Sequence, residues 1–339
     1  MKQIPTREAV GHVLCHDMTQ IIPGQYKDAR FRKGHVVREE DIPILLSMGK
    51  EHLYVWEMVP GMVHENDAAE RLCALCRNRG MDRSAVKEGK IELTAAMDGL
   101  FLVDSARLKA VNTLEDIMIA TRHGGTAVRK GDKLAGTRVI PLVIEEEKLR
   151  RAEAAASGKP LLELLPWKLK TAAVVATGSE VAQGLVKDAF TPVVEKKLAE
   201  FGIQTLERRT PGDGTEAVKD AILDVKRRGV DLILCTGGMS VDPDDNTPGA
   251  IRRSGAEITA YGAPVLPGAM FLLGYFGDGT PILGLPGCVM YAQRTIFDLV
   301  LPKVAAGVPV TRADLAAMGE GGLCLGCGAC TYPNCGFGT

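Results

Sequence analysis

The sequence has few aromatic residues, no long apolar run and almost no net charge. Aromatic residues make up 5% of the 339 residues, and the chain lacks a run of about 18 apolar residues, the length that crosses a membrane. The first residues, MKQIPTREAV, lack the apolar segment of a secretion signal. We therefore expect a cytoplasmic protein with no membrane partner. The formal net charge of −1 excludes the general basic field of a nucleic-acid-binding protein.

The chain is long enough to form several domains. With 46% hydrophobic residues, it can bury more than one core. We predict an N-terminal α+β segment over residues 1–57 and a β-rich accessory domain with a helical linker over 58–166. An α/β domain should follow over 167–310, and a Cys-rich tail over 311–339.

The predicted α/β domain alternates between strand and helix patterns. Apolar strands are predicted over 171–176, 203–206 and 230–235, and helices over 191–201 and 215–228. A further strand over 280–285 should lead to a helix over 289–301. This alternation predicts a mostly parallel, doubly wound sheet with helices on both faces. The fold class is therefore α/β, with a smaller β-rich N-terminal region.

The most informative segment, LILCTGGMSVDPDD, runs from Leu232 to Asp245. An apolar strand leads into Thr236-Gly237-Gly238 and Ser240, followed by three aspartates. Adjacent glycines let the backbone turn sharply and bring N–H groups close to an anion. The aspartates could hold a divalent cation beside that anion. The alternative is an ordinary glycine turn between a strand and a helix.

Two more strand ends carry loops of small residues. One strand ends at Thr177-Gly178-Ser179-Glu180, and another at Pro286-Gly287. In an open parallel sheet, ligands bind beyond the carboxyl ends of the strands. We therefore expect the three loops to converge on one binding site.

Four motifs together resemble a known domain. The TGSE loop, the TGGMSVDPDD loop, PGAM at Pro267 to Met270 and GLPG at Gly284 to Gly287 resemble the molybdopterin-binding domain in both order and spacing. That domain is shared by molybdopterin adenylyltransferases of the MogA type and molybdopterin molybdenumtransferases of the MoeA type. The resemblance covers roughly residues 168–308.

The resemblance implies a binding site for molybdopterin, a pterin with a dithiolene and a terminal phosphate. Glycine loops and helix N-termini bind phosphates through backbone N–H groups. The residues implied to bind the cofactor all lie in the four motifs: Thr177, Gly178, Glu180, Thr236, Gly237, Gly238, Ser240, Pro267, Gly268, Pro286 and Gly287.

Three aspartates are implied as catalytic groups. Asp245 occupies the position where the family has a carboxylate near the reacting phosphate or its magnesium. Asp188 and Asp213 occupy acidic positions after the TGxE loop and before a helix. The alternative for these two is a helix cap or a turn, because Asp is favoured at both.

Two functions follow from the resemblance. The first is insertion of molybdenum from molybdate into adenylylated molybdopterin, with magnesium as a cofactor. The second is a non-catalytic carrier that delivers the cofactor to a molybdoenzyme; a nucleotide pyrophosphatase is a third possibility. The chain departs from the usual PGKP motif at Ala269 and Met270, and loss of the lysine removes a phosphate-directed charge. A homodimer is implied by the resemblance alone.

The C-terminal tail carries four closely spaced thiols. Cys324, Cys327, Cys330 and Cys335 have the spacing C-x2-C-x2-C-x4-C, which suits zinc or an iron–sulfur cluster. The alternatives are a disordered tail, or thiols that pass sulfur or hold a metal only transiently. Another pair, Cys73 and Cys76, lies on a predicted helix, where the i,i+3 spacing indicates packing on one face.

Overall fold

The computed structural model describes residues 2–22, 26–55, 60–212, 214–240 and 245–338. The chain forms two compact units. Unit 1 consists of Met1–Thr94, Val103–Arg122 and Lys133–Glu163, and unit 2 of Ala95–Leu102, His123–Asp132 and Leu164–Thr339. Among the helices in these ranges, none has both the length and the apolar character needed to span a membrane. The four segments expected from the sequence remain a prediction.

Helices and strands follow one another through the described residues. The elements of the first half are β1 Lys2–Pro5, β2 Met18–Ile22, β3 Tyr26–Phe31, α1 Asp41–Ser47, β4 His52–Val55, β5 Met62–His64, α2 Glu65–Cys76, β6 Met81–Arg83, β7 Lys90–Ala95, β8 Gly99–Val103, α3 Ser105–Asn112, β9 Ile117–Thr121, β10 Thr126–Val128, β11 Lys133–Val139, β12 Val143–Glu145 and α4 Glu146–Ala155. Those of the second half are β13 Leu162–Leu165, β14 Thr171–Ala176, α5 Ser179–Ala182, α6 Phe190–Ala199, β15 Gln204–Arg209, α7 Thr215–Arg227, β16 Leu232–Thr236, α8 Thr247–Arg253, β17 Glu257–Tyr261, β18 Leu272–Tyr275, β19 Pro281–Leu285, α9 Ile296–Ala305 and α10 Arg312–Ala317.

Unit 1 is built on short sheets and two longer helices. Strands β6, β7, β11 and β9 form a four-stranded sheet in that order, and β11 runs antiparallel to both of its neighbours. The sequence of strand β7, KIELTA, alternates between polar and apolar residues. Its apolar residues Ile91, Leu93 and Ala95 are buried, as expected for a strand with one face against a core. Helix α2 buries Cys73 and Cys76 on one face. The interpretation of this cysteine pair as packing residues is confirmed.

Unit 2 is centred on a six-stranded sheet with the order β15-β14-β16-β19-β18-β17. The pairs β14–β15, β14–β16 and β16–β19 are parallel, whereas β17–β18 and β18–β19 are antiparallel. The predicted α/β class is confirmed, and the sheet is mixed. The β18–β19 pair is antiparallel because the turn around Asp278 and Gly279 returns the chain directly from β18 to β19. The β17–β18 pair is antiparallel because residues 262–271 likewise connect the two strands without a crossover helix.

Both faces of this sheet are covered. Leu232 and Leu234 of β16 belong to a cluster that includes residues of α6 and α9. Ile233 and Cys235, on the opposite face, belong to a cluster with residues of α7 and α8. Burial on both sides explains why β16 is an unbroken apolar run, LILCT, rather than an alternating one.

Helix α9 begins later than the sequence pattern suggested. The prediction of a helix over 289–301 was wrong at its start, because Gly287–Met290 is a short 3-10 turn. The α-helix starts at Ile296, where Thr295 and Asp298 form a capping box. The Thr295 backbone N–H donates to Asp298 Oδ2 over 2.8 Å. This reciprocal cap fixes the first turn of the helix at that position.

Candidate functional site

Three adjacent parallel strands end at the same level in unit 2. Ala176 at the end of β14 pairs with Thr236 at the end of β16, and Thr236 pairs with Leu285 at the end of β19. The chain therefore leaves the sheet at neighbouring points into the TGSE, TGGMS and PG loops. We call the residues of these loops, 177–180, 237–240 and 286–287, the carboxyl edge. The sequence expectation that these loops lie together matches this register.

Two threonine hydroxyls join the first two loops of the carboxyl edge. Thr177 donates from its backbone N–H (2.8 Å) and from Oγ1 (3.1 Å) to the Thr236 carbonyl. Thr247, at the start of α8, donates from Oγ1 to the Gly237 carbonyl over 2.9 Å. The two hydroxyl oxygens lie 3.3 Å apart. Since Thr247 is 1% exposed, this network is part of the interior and fixes the backbone of both loops.

The two glycines of the TGG motif are required by this close approach. Gly237 has φ +82° and Gly238 has φ +55°, a region that favours glycine. A Cβ atom on Gly237 would lie 2.4 Å from the Thr177 carbonyl oxygen, and one on Gly238 would lie 2.8 Å from Thr247 Oγ1. The glycines thus allow the loops to pack against each other.

The TGGMS loop is also tied to the strands beyond it. The Met239 side chain lies over β19, where a Cβ on Gly284 would be 2.5 Å from its Cε. Tyr261, at the end of β17, donates from its hydroxyl to the Met239 carbonyl over 3.0 Å and lies 3.3 Å from the Ser240 carbonyl. Burial, and then the negative charge of Asp245, raise the pKa of the Tyr261 phenol. Asp245 lies two residues before Thr247, whose hydroxyl binds the Gly237 carbonyl, and is therefore near this same end of the sheet.

The PGAM segment packs against the start of α9. Gly268 has φ +129°, and a Cβ there would lie 2.4 Å from Ile296 Cγ2. The Ile296 backbone N–H donates to the Pro267 carbonyl over 3.2 Å. Since β18 runs antiparallel to β19 and pairs Leu272 with Gly284, this loop lies at the same end of the sheet as the carboxyl edge.

The other predicted site residues have different surroundings. Asp188 Oδ1 accepts from the backbone N–H groups of Phe190 (2.9 Å) and Thr191 (3.0 Å), which is the cap geometry given as its alternative. Burial acts to raise the pKa of Asp188, but the hydrogen bonds from Thr191 and Phe190 outweigh it and leave the pKa lowered. Asp213 lies outside the described residues, as do Asp242 and Asp244.

The remaining loop residues are placed by their backbone. Gly178 has φ +138°, and its carbonyl accepts from the Ala182 N–H over 3.0 Å. Glu180 lies within the short helix α5. The predicted roles of these residues, of Asp245 and of Asp188 in catalysis or binding remain predictions.

Sequence reasoning did not find Thr247 and Tyr261. Both contact the TGGMS loop, but from 10 and more residues further along the chain. The segment Asn246-Thr247-Pro248 is a helix-start pattern, with proline in the first turn. That pattern could have placed Thr247 beside the loop, whereas nothing in the sequence around Tyr261 indicates its contact.

The four tail cysteines fall into two pairs by exposure. Cys324 and Cys335 are partly buried against the unit 2 core, and Cys327 and Cys330 are exposed. Within the described ranges, no group of three or more His, Cys, Asp or Glu side chains is arranged to hold a metal ion. Metal ligation by these thiols, and a magnesium site, thus remain predictions.

The fold and the loop arrangement define an α/β domain that presents small-residue loops beyond the ends of neighbouring parallel strands, where phosphate-bearing ligands bind in such sheets. Residues 173–306 match the family described as a probable molybdopterin binding domain. The resemblance of the sequence to that family is therefore confirmed for this part of the chain. Residues 3–57 match a domain of unknown function (DUF8806).

Curated relatives match over different lengths. A molybdopterin molybdenumtransferase of Staphylococcus epidermidis is 25% identical over 303 residues, which is 83% of this chain and 65% of that protein. A CinA-like protein of Thermosipho melanesiensis is 31% identical over 86 residues, or 25% of this chain and 21% of that protein. The chain thus spans about a fifth of that CinA-like relative and just under two thirds of the molybdenumtransferase.

Among solved structures, the molybdopterin biosynthesis Mog protein of Mycobacterium ulcerans is 22% identical, with a TM-score of 0.33. The match covers 40% of this chain and 91% of that one.

Proposed function

We propose that unit 2 binds molybdopterin at the carboxyl edge, and that the protein inserts molybdenum into the adenylylated form of this cofactor. The single observation that carries the proposal is the register of β14, β16 and β19, which brings three loops to one level. The match of residues 173–306 to a molybdopterin-binding domain supports it. The doubly wound architecture expected from the sequence belongs to the same proposal, because it places ligands beyond such strand ends.

The proposed contacts follow from the loop geometry. The terminal phosphate, or the pyrophosphate of the adenylylated form, would accept hydrogen bonds from backbone N–H groups of residues 237–240 and of Gly178. The hydroxyls of Thr177 and Thr247 donate to carbonyl oxygens instead, so their part is to hold the loops in place. Pre-positioned N–H groups bind an anion without a further ordering cost.

Asp245 is proposed to act beside the phosphoanhydride bond. Its position in the chain, two residues before Thr247, which binds the TGGMS loop, supports a place beside the proposed site. It would hold a magnesium ion that offsets the phosphate charge. As the two dithiolene sulfurs bind molybdenum, their two protons and one oxide of molybdate would leave as water. Water would then cleave the phosphoanhydride, so that AMP is released and the pterin keeps its terminal phosphate. We further propose that the protein acts in the cytoplasm as a homodimer.

Binding is tested with a matched pair of threonine variants. Thr247→Val removes the hydroxyl that fixes the Gly237 carbonyl, whereas Thr205→Val removes a buried hydroxyl that has no hydrogen-bond partner. Loss of one hydrogen bond with its acceptor left unpaired costs about 1–2 kcal/mol, so Thr247→Val should weaken molybdopterin binding roughly tenfold. Anaerobic titration of the purified proteins, followed by pterin fluorescence, measures this. Absence of binding by the wild-type protein would refute the proposal.

Release of AMP separates insertion from the carrier alternative. The wild-type protein is supplied with adenylylated molybdopterin, molybdate and magnesium, and AMP is measured over time. Release that depends on molybdate and falls in Asp245→Asn supports insertion. Tight binding without AMP release supports the carrier, which is favoured by Ala269 and Met270 in the PGAM loop, where the related motif has a lysine.

A further inference from the structure

The C-terminal tail is folded onto unit 2 rather than extending from it. Leu266 donates to the Gly322 carbonyl, and Cys324 donates to the Leu266 carbonyl, each over 2.8 Å. At the other end of the tail, Gly338 donates to the Gly321 carbonyl over 3.0 Å. Residues 321–338 therefore form a closed loop held by backbone hydrogen bonds at its base.

Two aromatic side chains anchor this loop. Phe337 is 5% exposed and belongs to the hydrophobic cluster of unit 2. Tyr332 packs edge-on to Phe337, with ring centroids 6.2 Å apart, and its hydroxyl donates to the Asp298 carbonyl over 3.0 Å. These two side chains fix the tail on the surface of unit 2.

The closed loop and the domain surface enclose a cavity of about 390 Å³. All four tail cysteines line it, together with Pro267 and the segment Ala292 to Arg294. Four thiols on one cavity wall cannot be explained by packing of the apolar core, since Cys327 and Cys330 are exposed.

A held positive charge forms part of the same wall. The Arg294 guanidinium donates to Asp298 over 2.9 Å and lies 4.9 Å from the centre of the Tyr332 ring. Arg294 therefore adds a positive charge to the cavity that the four thiols line.

The buried base of this wall is rigid. Lys197 and Asp298 are both less than 10% exposed and form an ion pair with a distance of 2.5 Å. Lys197 also donates to the Gln293 carbonyl over 3.0 Å. Arg294 and its neighbours are thus fixed from α6 and α9 before any ligand is present.

We propose that this cavity binds a [4Fe–4S] cluster through the thiolates of Cys324, Cys327, Cys330 and Cys335. A zinc site needs its ligands about 2.3 Å from one point, and no such convergence of side chains occurs in the described part of the chain. A cluster instead takes one thiolate at each of four iron ions around a larger volume, and all four tail cysteines line the same cavity.

The charges of the assembled site balance with Arg294. A core of two ferrous ions, two ferric ions and four sulfides carries a charge of +2. The four thiols lose four protons on ligation, so that the bound cluster has a net charge of −2. The Arg294 guanidinium offsets part of this charge and can donate to a cysteine sulfur, as hydrogen bonds to cluster sulfurs commonly do.

The full-length protein tests this site directly. It is reconstituted without oxygen from ferric iron, sulfide and a thiol reductant, freed of excess reagents, and assayed for iron, sulfide and zinc, with visible and electron paramagnetic resonance spectra recorded. We expect about four iron ions and four sulfides per chain, with a signal that appears on one-electron reduction. Binding of a single zinc ion, or of no metal, overturns the proposal.

Two cysteine variants complete the experiment. Cys327→Ala changes an exposed ligand and should lose the cluster, while Cys73→Ala changes a thiol buried in α2 of unit 1 and should keep it. Equal iron in the two variants overturns the proposal. Urea unfolding followed by tryptophan fluorescence shows whether Cys327→Ala is still folded. Because neither this control nor the cluster depends on pterin binding, failure of either proposal is seen separately.

Discussion

The exchange Gly237→Ala tests whether the close approach of two loops holds the carboxyl edge together. The new Cβ would lie 2.4 Å from the Thr177 carbonyl oxygen, and ordinary contact begins at 3.4 Å, so the loops must separate by about 1 Å. Separation would break the two hydrogen bonds from Thr177 to the Thr236 carbonyl, at about 1 kcal/mol each. The positive φ adds about 1–2 kcal/mol. We expect the free energy of unfolding to fall by about 3–4 kcal/mol.

Gly229→Ala is the matched control, because it isolates the backbone term. Gly229 has φ +74° and no atom within 4 Å of a built Cβ, so the expected loss is only about 1–2 kcal/mol. Urea unfolding followed by Trp167 fluorescence, in a Trp56→Phe background, reports on unit 2 alone. Molybdopterin binding should be lost in Gly237→Ala and kept in Gly229→Ala. Equal losses of stability in the two variants would refute the reasoning.

Three further changes test other parts of the structure. Lys197→Met leaves Asp298 buried with one cation fewer and should lower the free energy of unfolding by about 3 kcal/mol in the same urea assay; an unchanged midpoint would contradict this. Thr137→Val removes a fully buried hydroxyl without a partner, so unit 1 should gain about 1 kcal/mol of stability. Calorimetry should then show a higher melting temperature of unit 1; a lower melting temperature would count against this reasoning. The hydrogen bond from Lys226, followed by one from Thr280, lowers the pKa of Asp278 to about 2. The contribution of ionised Asp278 to the free energy of unfolding is therefore complete above about pH 4 and is lost as the pH falls toward 2. In Asp278→Asn the free energy of unfolding should vary less with pH over that interval. The difference should be less than about 1 kcal/mol, because the Asp278–Lys226 pair is exposed. An equal change in stability at all pH values would contradict this prediction.

The strands of unit 2 could be predicted because their sequences leave little choice. Strands β14, β16 and β19 are short, unbroken apolar runs that end at glycine or proline, the pattern of strands covered on both faces. Their adjacency followed from the topology of parallel sheets. The start of α9 was missed because the apolar pattern extends backwards past Thr295, while the capping box that decides it is a polar signal.

The contacts within the site could be predicted only in part. The TGG loop indicated a close backbone approach, but the sequence did not show that the Thr177 carbonyl lies against Gly237. Thr247 and Tyr261 reach the loop through the fold, and no local pattern connects Tyr261 to Met239. The position of the tail could not be predicted from its cysteines. It depends instead on the packing of Phe337 and Tyr332 against the hydrophobic cluster of unit 2.

The inward hydrogen bonds of Thr177 and Thr247 bear on how ligand preference can be altered. Both hydroxyls donate hydrogen bonds to backbone carbonyls of the protein. A ligand bound at these loops would therefore contact backbone peptide groups, whose chemistry is the same for every residue type. A variant designed to bind a different ligand should keep these two threonines. Substitutions of other side chains around the loops would then change ligand selectivity, while the backbone of the two loops keeps its conformation.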